Sequence, residues 1–285
     1  MDVSTFNTHR RTLTTPAGEI AYTELGSGPA ALFVHGVGTS GVLWRHVIEQ
    51  VSDASRCIAP DLPAHGGSAA RADMSPAAVA EALAELCDGL GLDQVDLVGN
   101  DSGGAFAQIF AARHPERIRT FTLTNCDCEG NFPPPPFAPL VEQARQGATA
   151  AAFAGFAANP AAWRTPNNPL AFGYEHPELV PEEVWRANFT GAAGTLDRAR
   201  DAERLLAGLD SADLAAVSGQ LRTLEVPTLL VWGTGDESFG LKWAHFLRDL
   251  IPGVREIVEI DGAKLYYPEE RPADLIPHLR RHWGR

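Results

Sequence analysis

The chain has 285 residues, with 36 acidic and 23 basic side chains and a net charge of −13. This length suits one α/β core that carries an insertion, and the negative charge excludes nucleic acid as a partner because a polyanion would be repelled over most of the surface. No stretch reaches the roughly 20 apolar residues of a membrane helix, and the first residues show no apolar signal-peptide region. We therefore expect a cytoplasmic protein that binds a small molecule and not a membrane.

Short β-like runs alternate with helical runs in the first and last parts of the chain, which predicts a mostly parallel sheet with helices on both faces. The predicted strands are Arg11–Thr15, Ile20–Glu24, Ala30–Val34, Arg56–Ala59, Val95–Gly99, Ile118–Thr124, Pro227–Trp232 and Val254–Ile260. The predicted helices of these parts are Ala77–Leu90, Ala105–Ala112 and Pro272–Trp283.

The stretch NFPPPPFAP, residues 131–139, interrupts this alternation. Proline lacks an amide hydrogen and fixes φ, so the stretch can be neither a helix nor a central strand. From there to about Arg222 the chain is alanine-rich, with helical patterns, proline breaks and no strand pattern. We predict a helical cap over residues 131–222, which covers the carboxyl ends of the strands, and a core formed by residues 1–130 and 223–285.

Four cysteines are too few and too scattered for a disulfide framework in a chain of this length. Cys126 and Cys128 form a C-x-C pair, but no second pair or histidine cluster follows to complete a zinc site. We expect buried thiols, no metal and no cofactor.

The stretch LVGNDSGGA, residues 97–105, has the pattern of a strand that runs into a tight turn and then a helix. Small residues around Asp101 would let the turn present this aspartate at a strained, positive φ. These small residues are Gly99, Gly103 and Gly104. A second register puts Ser102 at the tip, but Asn100 would then have to serve as a small residue. An ordinary helix N-cap is a third interpretation.

Together with its flanking motifs, this turn resembles the elbow of the α/β-hydrolases that use an aspartate nucleophile, a branch that includes epoxide hydrolases and haloalkane dehalogenases. The resemblance covers nearly the whole core and is weakest in the cap. Its motifs are LFVHGVGTSGVLWRHVI, PDLPAHGGS, VGNDSGGAFAQIFAARHPERI and VPTLLVWGTGDESF. It implies an α/β-hydrolase fold, a mostly parallel sheet flanked by helices with a helical cap.

The resemblance also implies a role for each matching residue. Asp101 would attack an sp³ carbon of an epoxide or a haloalkane and form an alkyl ester, which water then hydrolyses. The backbone amides of Val37 and Ser102 would form the oxyanion hole. Asp236 stands at the position of the acid that orients a catalytic histidine.

That histidine is missing. The family carries it in the loop after the last strand, which here reads DGAKLYYPEERP, with Leu265 at the histidine position. No histidine lies between His245 and His278. His35 and His65 fall in loops near the site, where we expect their rings to bond the backbone, and we include His35 among the substrate-binding residues.

Two further departures from the family pattern bear on the substrate. Dehalogenases of this branch hold the halide with an asparagine and a tryptophan at the positions of Val37 and Ser102. Epoxide hydrolases protonate the epoxide oxygen with cap tyrosines, and the predicted cap contains only Tyr174, although Tyr266 and Tyr267 could substitute from their loop. We therefore favour an epoxide over a halide, and we expect Tyr266 and Trp163 in the substrate pocket.

Three functions stay open at this point. The chain could be a hydrolase with nucleophilic Asp101, a non-hydrolytic lyase, isomerase or ring-forming enzyme with Asp101 as general acid or base, or a binding protein without turnover. The missing histidine fits the second function, because that residue is needed mainly for hydrolysis of the ester. The fold alone does not distinguish these three functions. The groups nearest to Asp101 in space distinguish them.

Overall fold

The computed structural model describes residues 1–165 and 168–285, and within them eight strands form one sheet. The strands are β1 (Arg10–Thr15), β2 (Gly18–Leu25), β3 (Ala30–Val34), β4 (Arg56–Pro60), β5 (Val95–Asp101), β6 (Ile118–Cys126), β7 (Thr228–Gly233) and β8 (Val254–Ile260). Their order across the sheet is β1-β2-β4-β3-β5-β6-β7-β8. The pairs β1–β2 and β2–β4 are antiparallel and the other pairs are parallel, which confirms the predicted fold class.

Helices precede β1, follow β8 and occupy each connection from β3 onwards. In the described residues they are α1 (Val3–Thr8), α2 (Arg45–Val51), α3 (Pro76–Gly89), α4 (Ser102–Arg113), α5 (Ala138–Arg145), α6 (Ala150–Ala157), α7 (Glu182–Ala193), α8 (Leu196–Gly208), α9 (Ser211–Leu221), α10 (Lys242–Leu250), α11 (Tyr267–Glu270) and α12 (Pro272–Trp283). Within the described residues, no helix is both long enough and apolar enough to cross a membrane.

The central strands are buried on both faces. All five residues of β3, and every residue of β5 except Asp101, are buried, as expected for parallel strands covered by helices. The edge strands β1 and β8 bury far fewer residues. Because β3, β5, β6 and β7 run in one direction, their carboxyl ends meet at one edge of the sheet, where ligands bind in open α/β folds.

The stretch between β6 and β7 is helical. Its described residues form α5 to α9 and short 3₁₀ turns, without a strand. The predicted cap, residues 131–222, falls inside this stretch, and its status as a separate domain stays a prediction. The guanidinium of Arg198 in α8 donates to the carbonyl oxygens of Ser68, at 2.7 Å, and Gly66, at 3.0 Å, and so joins the helical stretch to a core loop.

The turn from β5 into α4 depends on close backbone packing. A Cβ on Gly104 would lie 2.3 Å from the Cβ of Cys126 in β6, and a Cβ on Gly99 would lie 2.8 Å from the Cα of Gly104. Real side chains do not approach so closely. The glycine spacing seen in the sequence therefore has a packing cause: it lets α4 begin at Ser102 without an intervening loop.

We expect Gly104→Ala to lower the free energy of unfolding by about 1–3 kcal/mol, because overpacking forces backbone shifts. Gly219→Ala in α9 is the matched control, since its new Cβ would meet no described atom within 4 Å. Alanine at that helical position should be neutral or stabilising by roughly 0.5–1 kcal/mol. Urea unfolding of both variants provides the comparison, and equal midpoints would show that the turn accommodates the extra methyl group.

Candidate active site

Asp101 occupies the tip of the turn between β5 and α4. Its backbone has φ 58° and ψ −139°, a conformation that side-chain-bearing residues rarely adopt, whereas Ser102 is the first residue of α4. The positive φ predicted for Asp101 is confirmed. Strain of this kind persists only where the surrounding structure imposes it, and it occurs at functional sites.

A cavity of about 350 Å³ lies beside this tip. Its polar lining residues are His65, Asp101, Ser102, Asp127 and Tyr266, and the remaining lining residues are apolar side chains and one glycine. Many of the apolar residues come from the helical stretch between β6 and β7, so both parts of the fold enclose the cavity. An apolar cavity with a few convergent polar groups is the usual form of a small-molecule site.

The carboxyl group of Asp101 is partly buried and lines this cavity. Burial raises its pKa from 3.8 to about 8; a hydrogen bond from the Ser102 amide opposes this rise, and the charge of Asp236 adds to it. Asp101 is therefore mostly protonated at pH 7. It can donate a proton in that form, and the carboxylate, which is the nucleophilic form, becomes the main species as the pH passes 8.

Asp127 is a second carboxyl group in the cavity wall, and the sequence analysis missed it. It follows β6 directly, it is 2% exposed, and its backbone N–H donates to the carbonyl oxygen of Asp101 at 3.3 Å. Its Oδ1 atom is buried and has no hydrogen-bond partner among the described residues. Burial raises the pKa of Asp127 well above its ordinary value, and the charges of Asp101 and Asp236 raise it further.

The two histidines near the site are held by the backbone. The Leu62 amide donates to Nε2 of His35 at 2.9 Å, and Nδ1 of His35 lies 2.7 Å from the Gly36 carbonyl oxygen. The His65 ring is bonded in the same way, by one backbone amide and one backbone carbonyl, and burial lowers its pKa to about 4. Both rings are neutral, and their nitrogens already have partners. His35 is not among the residues that line the cavity, and its contact with substrate stays a prediction.

Of the two predicted aromatic contacts, the structure brings only one into the cavity wall. Trp163 is buried behind the wall, where its Nε1–H donates to the Phe156 carbonyl oxygen at 3.0 Å and its ring packs on Phe189. Tyr266 lines the cavity, with its ring 4.8 Å from that of Tyr174. Burial raises the pKa of Tyr266 well above 10, with the nearby carboxylates adding to the rise, so its phenol keeps its proton.

Asp236 lies outside the cavity wall. Its Oδ1 accepts hydrogen bonds from the amides of Ser238 and Phe239, at 2.8 and 3.0 Å, and its Oδ2 accepts one from Asn125 at 3.1 Å. These bonds shape the loop after β7 whether or not a histidine is present. Burial still raises the pKa of Asp236, because it outweighs the donors that lower it.

Leu265 lies directly beside the turn. The side-chain amide of Asn100 donates to its carbonyl oxygen at 3.0 Å, and the leucine side chain is fully buried. The loop after β8 therefore places a buried hydrocarbon side chain at position 265, and whether this position corresponds to the histidine of the resembled family stays a prediction.

One of the two predicted oxyanion donors already has an acceptor within the protein. The backbone N–H of Val37 donates to Oγ of Ser102 at 2.8 Å, and both residues line the cavity. A ligand oxygen that takes up this amide has to displace the serine hydroxyl. Within the described residues, no group of three or more His, Cys, Asp or Glu side chains could hold a metal ion.

Comparison with known proteins agrees with this architecture. The sequence model of the family described as alpha/beta hydrolase fold matches residues 29–270, and the chain therefore belongs to that family. In shape it is similar to an epoxide hydrolase solved without ligand, with a TM-score of 0.79 and 20% identity over 96% of this chain and 98% of that one.

Two curated relatives match a shorter stretch. A haloalkane dehalogenase of Mesorhizobium japonicum is 41% identical over 102 residues, which are 35% of this chain and 33% of that protein. Epoxide hydrolase 2 of Siraitia grosvenorii is 37% identical over 114 residues, which are 38% of this chain and 35% of that protein. The chain thus spans about a third of the length of the curated relatives it matches.

The raised pKa of Asp101 predicts a pH dependence of stability. The folded protein retains the proton up to about pH 8, whereas the unfolded chain loses it near the ordinary value of 3.8. The stabilisation is complete below pH 3.8 and is lost as the pH rises towards 8. Asp101→Asn removes this loss, so between pH 5 and pH 9 the variant should gain stability on the wild type, with roughly 1.4 kcal/mol per pKa unit as the upper limit.

Unfolding free energies of both proteins at pH 5, 7 and 9 provide the test. A constant difference between wild type and Asp101→Asn across this range would contradict the raised pKa of Asp101.

Proposed function

We propose that the chain is an enzyme that acts on a small, largely apolar organic molecule, and that Asp101 is the group that reacts with it. The observation that carries this proposal is the strained position of Asp101 in the wall of the apolar cavity. The epoxide hydrolase and the haloalkane dehalogenase among the relatives support the same class of chemistry.

Ring opening of an epoxide is the favoured reaction. A carboxylate oxygen of Asp101 attacks one epoxide carbon, the bond from this carbon to the ring oxygen breaks, and an alkyl ester forms. The oxygen that is released needs a proton, and the neutral phenol of Tyr266 is in the cavity wall to supply it. Loss of a halide instead would call for donors to the leaving anion, and Val37 and Ser102 provide no such side chains beyond one hydroxyl.

Hydrolysis of the ester needs a base that activates water. Leu265 fills the family's histidine position, and the nitrogens of His35 and His65 are engaged with the backbone. Ester formation should therefore be faster than ester hydrolysis.

A second candidate function is favoured by the protonated state of Asp101 and by its neighbour Asp127. Two carboxyl groups at the ends of adjacent strands can share the roles of proton donor and proton acceptor. Such a pair serves an isomerase, a lyase or a ring-forming enzyme, in which no covalent adduct forms. This function keeps Asp101 in the site and changes it from nucleophile to general acid or base.

Intact-protein mass spectrometry after incubation with a panel of epoxides and haloalkanes separates the two functions. For nucleophilic Asp101 we expect a mass gain equal to one epoxide, with a rate that rises about tenfold per pH unit up to about pH 8 and then levels, because the carboxylate is the reactive form. Asp101→Asn should form no adduct. Absence of both an adduct and a diol product with the wild type at pH 9 would exclude the nucleophilic function.

Leu265→His should release the trapped ester as a diol, because it returns a water-activating base to the loop beside Asp101. Leu265→Gln is the matched control, since it adds polarity without an imidazole. If the wild type already turns over epoxides quickly without an adduct, and Leu265→His adds nothing, another group activates water and the reading of this loop is wrong.

Tyr266→Phe should slow formation of the epoxide adduct by roughly 100-fold, because the oxygen that is released loses its proton donor. Adduct formation from a haloalkane should change little, since a departing halide needs no proton. Tyr267→Phe is the matched control, because the Tyr267 hydroxyl donates to the Val231 carbonyl oxygen at 3.2 Å, outside the cavity wall. Equal rates for Tyr266→Phe and Tyr267→Phe would remove Tyr266 from the mechanism.

A further inference from the structure

The cavity has no positive charge in its wall. None of its described lining residues is a lysine or an arginine, and the lining His65 is neutral, with its pKa lowered to about 4 by burial. Two carboxyl groups, Asp101 and Asp127, face the same space. A ligand with a carboxylate or a phosphate would therefore be desolvated without a compensating charge, and we expect anions to be rejected.

The wall is rich in aromatic side chains. Six phenylalanines and Tyr266 line the cavity. The faces of aromatic rings carry partial negative charge and attract cations, and the attraction is larger where water is excluded. The aromatic rings, and the carboxyl groups once they are ionised, thus favour a positively charged ligand.

Asp127 brings an oxygen atom without a hydrogen-bond donor to the wall of this cavity. Its Oδ1 is buried without a partner among the described residues, and its side chain lines the cavity. Buried acceptors are nearly always satisfied, so an acceptor in this state marks a place for a donor. No described residue donates to this atom, and a ligand that reaches it with an N–H would supply the donor.

We propose that the cavity binds a small apolar amine as its ammonium cation, with the nitrogen at Asp101 and Asp127 and the hydrocarbon against the phenylalanine side chains. An ammonium group has only donors and a positive charge, which match two carboxyl groups that ionise beside it. This inference concerns the same cavity as the proposed function. It rests on that function only for the position of the ligand's polar end, and it requires no reaction of Asp101.

Binding of an ammonium ion should release protons. In the free protein Asp101 is protonated up to about pH 8, whereas the ion pair requires its carboxylate. The affinity for the amine should therefore rise by up to tenfold per pH unit as the pH approaches 8. A neutral ligand of the same size takes no part in this linkage, so its affinity should not follow the pH.

Isothermal titration calorimetry with hexylamine, hexan-1-ol and hexanoate provides the test, because the three probes share one hydrocarbon chain. We expect hexylamine to bind at least tenfold more tightly than hexan-1-ol at pH 8, and hexanoate not to bind. Repeating the hexylamine titration in buffers of different ionisation enthalpy should show proton release in the wild type, and this measurement needs no variant.

Asp127→Asn should weaken hexylamine binding at least tenfold and leave hexan-1-ol unchanged, whereas Asp93→Asn, at an exposed position, should change neither. Equal affinities for amine and alcohol, binding of hexanoate, or absence of proton release would each overturn the proposal. Amine binding by a protein that forms neither an epoxide adduct nor a diol would support this inference while contradicting a nucleophilic Asp101, so the two failures are distinguishable.

Discussion

The close approach of α4 to β5 and β6 is the constraint on which the site depends. Gly99 and Gly104 let the backbones nearly touch, so the chain turns from strand to helix within one residue, and Asp101 takes the positive φ. A third glycine acts from the other side, because a Cβ on Gly36 would lie 2.3 Å from Oδ2 of Asp101. The aspartate is thus confined on both sides, and its carboxyl group is directed to the cavity by packing and not by a partner side chain.

Three carboxyl groups near the turn meet the cost of burial in different ways. Asp236 has two backbone amides and Asn125 as donors, so its position is set by hydrogen bonds within its own loop and with β6. Asp101 receives one backbone amide and retains its proton at pH 7. Asp127 keeps an acceptor without a partner in the described structure. The number of hydrogen-bond donors decreases from Asp236 in the loop to Asp101 and Asp127 in the cavity wall. The carboxyl groups that line the cavity are therefore those with the fewest donors.

The sequence predicted the fold well because its signals are local. Ala30–Val34, Val254–Ile260 and Pro272–Trp283 have the predicted bounds, since buried parallel strands and a proline-started helix are visible in short windows. The glycine spacing located the positive φ for the same reason. Asp127 was missed because its nearness to Asp101 follows from the register of β5 against β6, a non-local property. The sequence did not indicate that Trp163 lies behind the cavity wall, because a side-chain direction in an irregular stretch is not encoded by a periodic pattern.

The bond from Asn100 to the Leu265 carbonyl oxygen bears on how such a chain could gain or lose hydrolytic chemistry. Every amino acid supplies a backbone carbonyl oxygen, so this hydrogen bond, and with it the path of the loop beside the turn, does not depend on which side chain stands at position 265. Some leucine codons differ from a histidine codon by one base. If Asp101 forms an ester as proposed, a point mutation at this position separates a form that releases the ester from a form that retains it, with the sheet, the turn and the cavity unchanged.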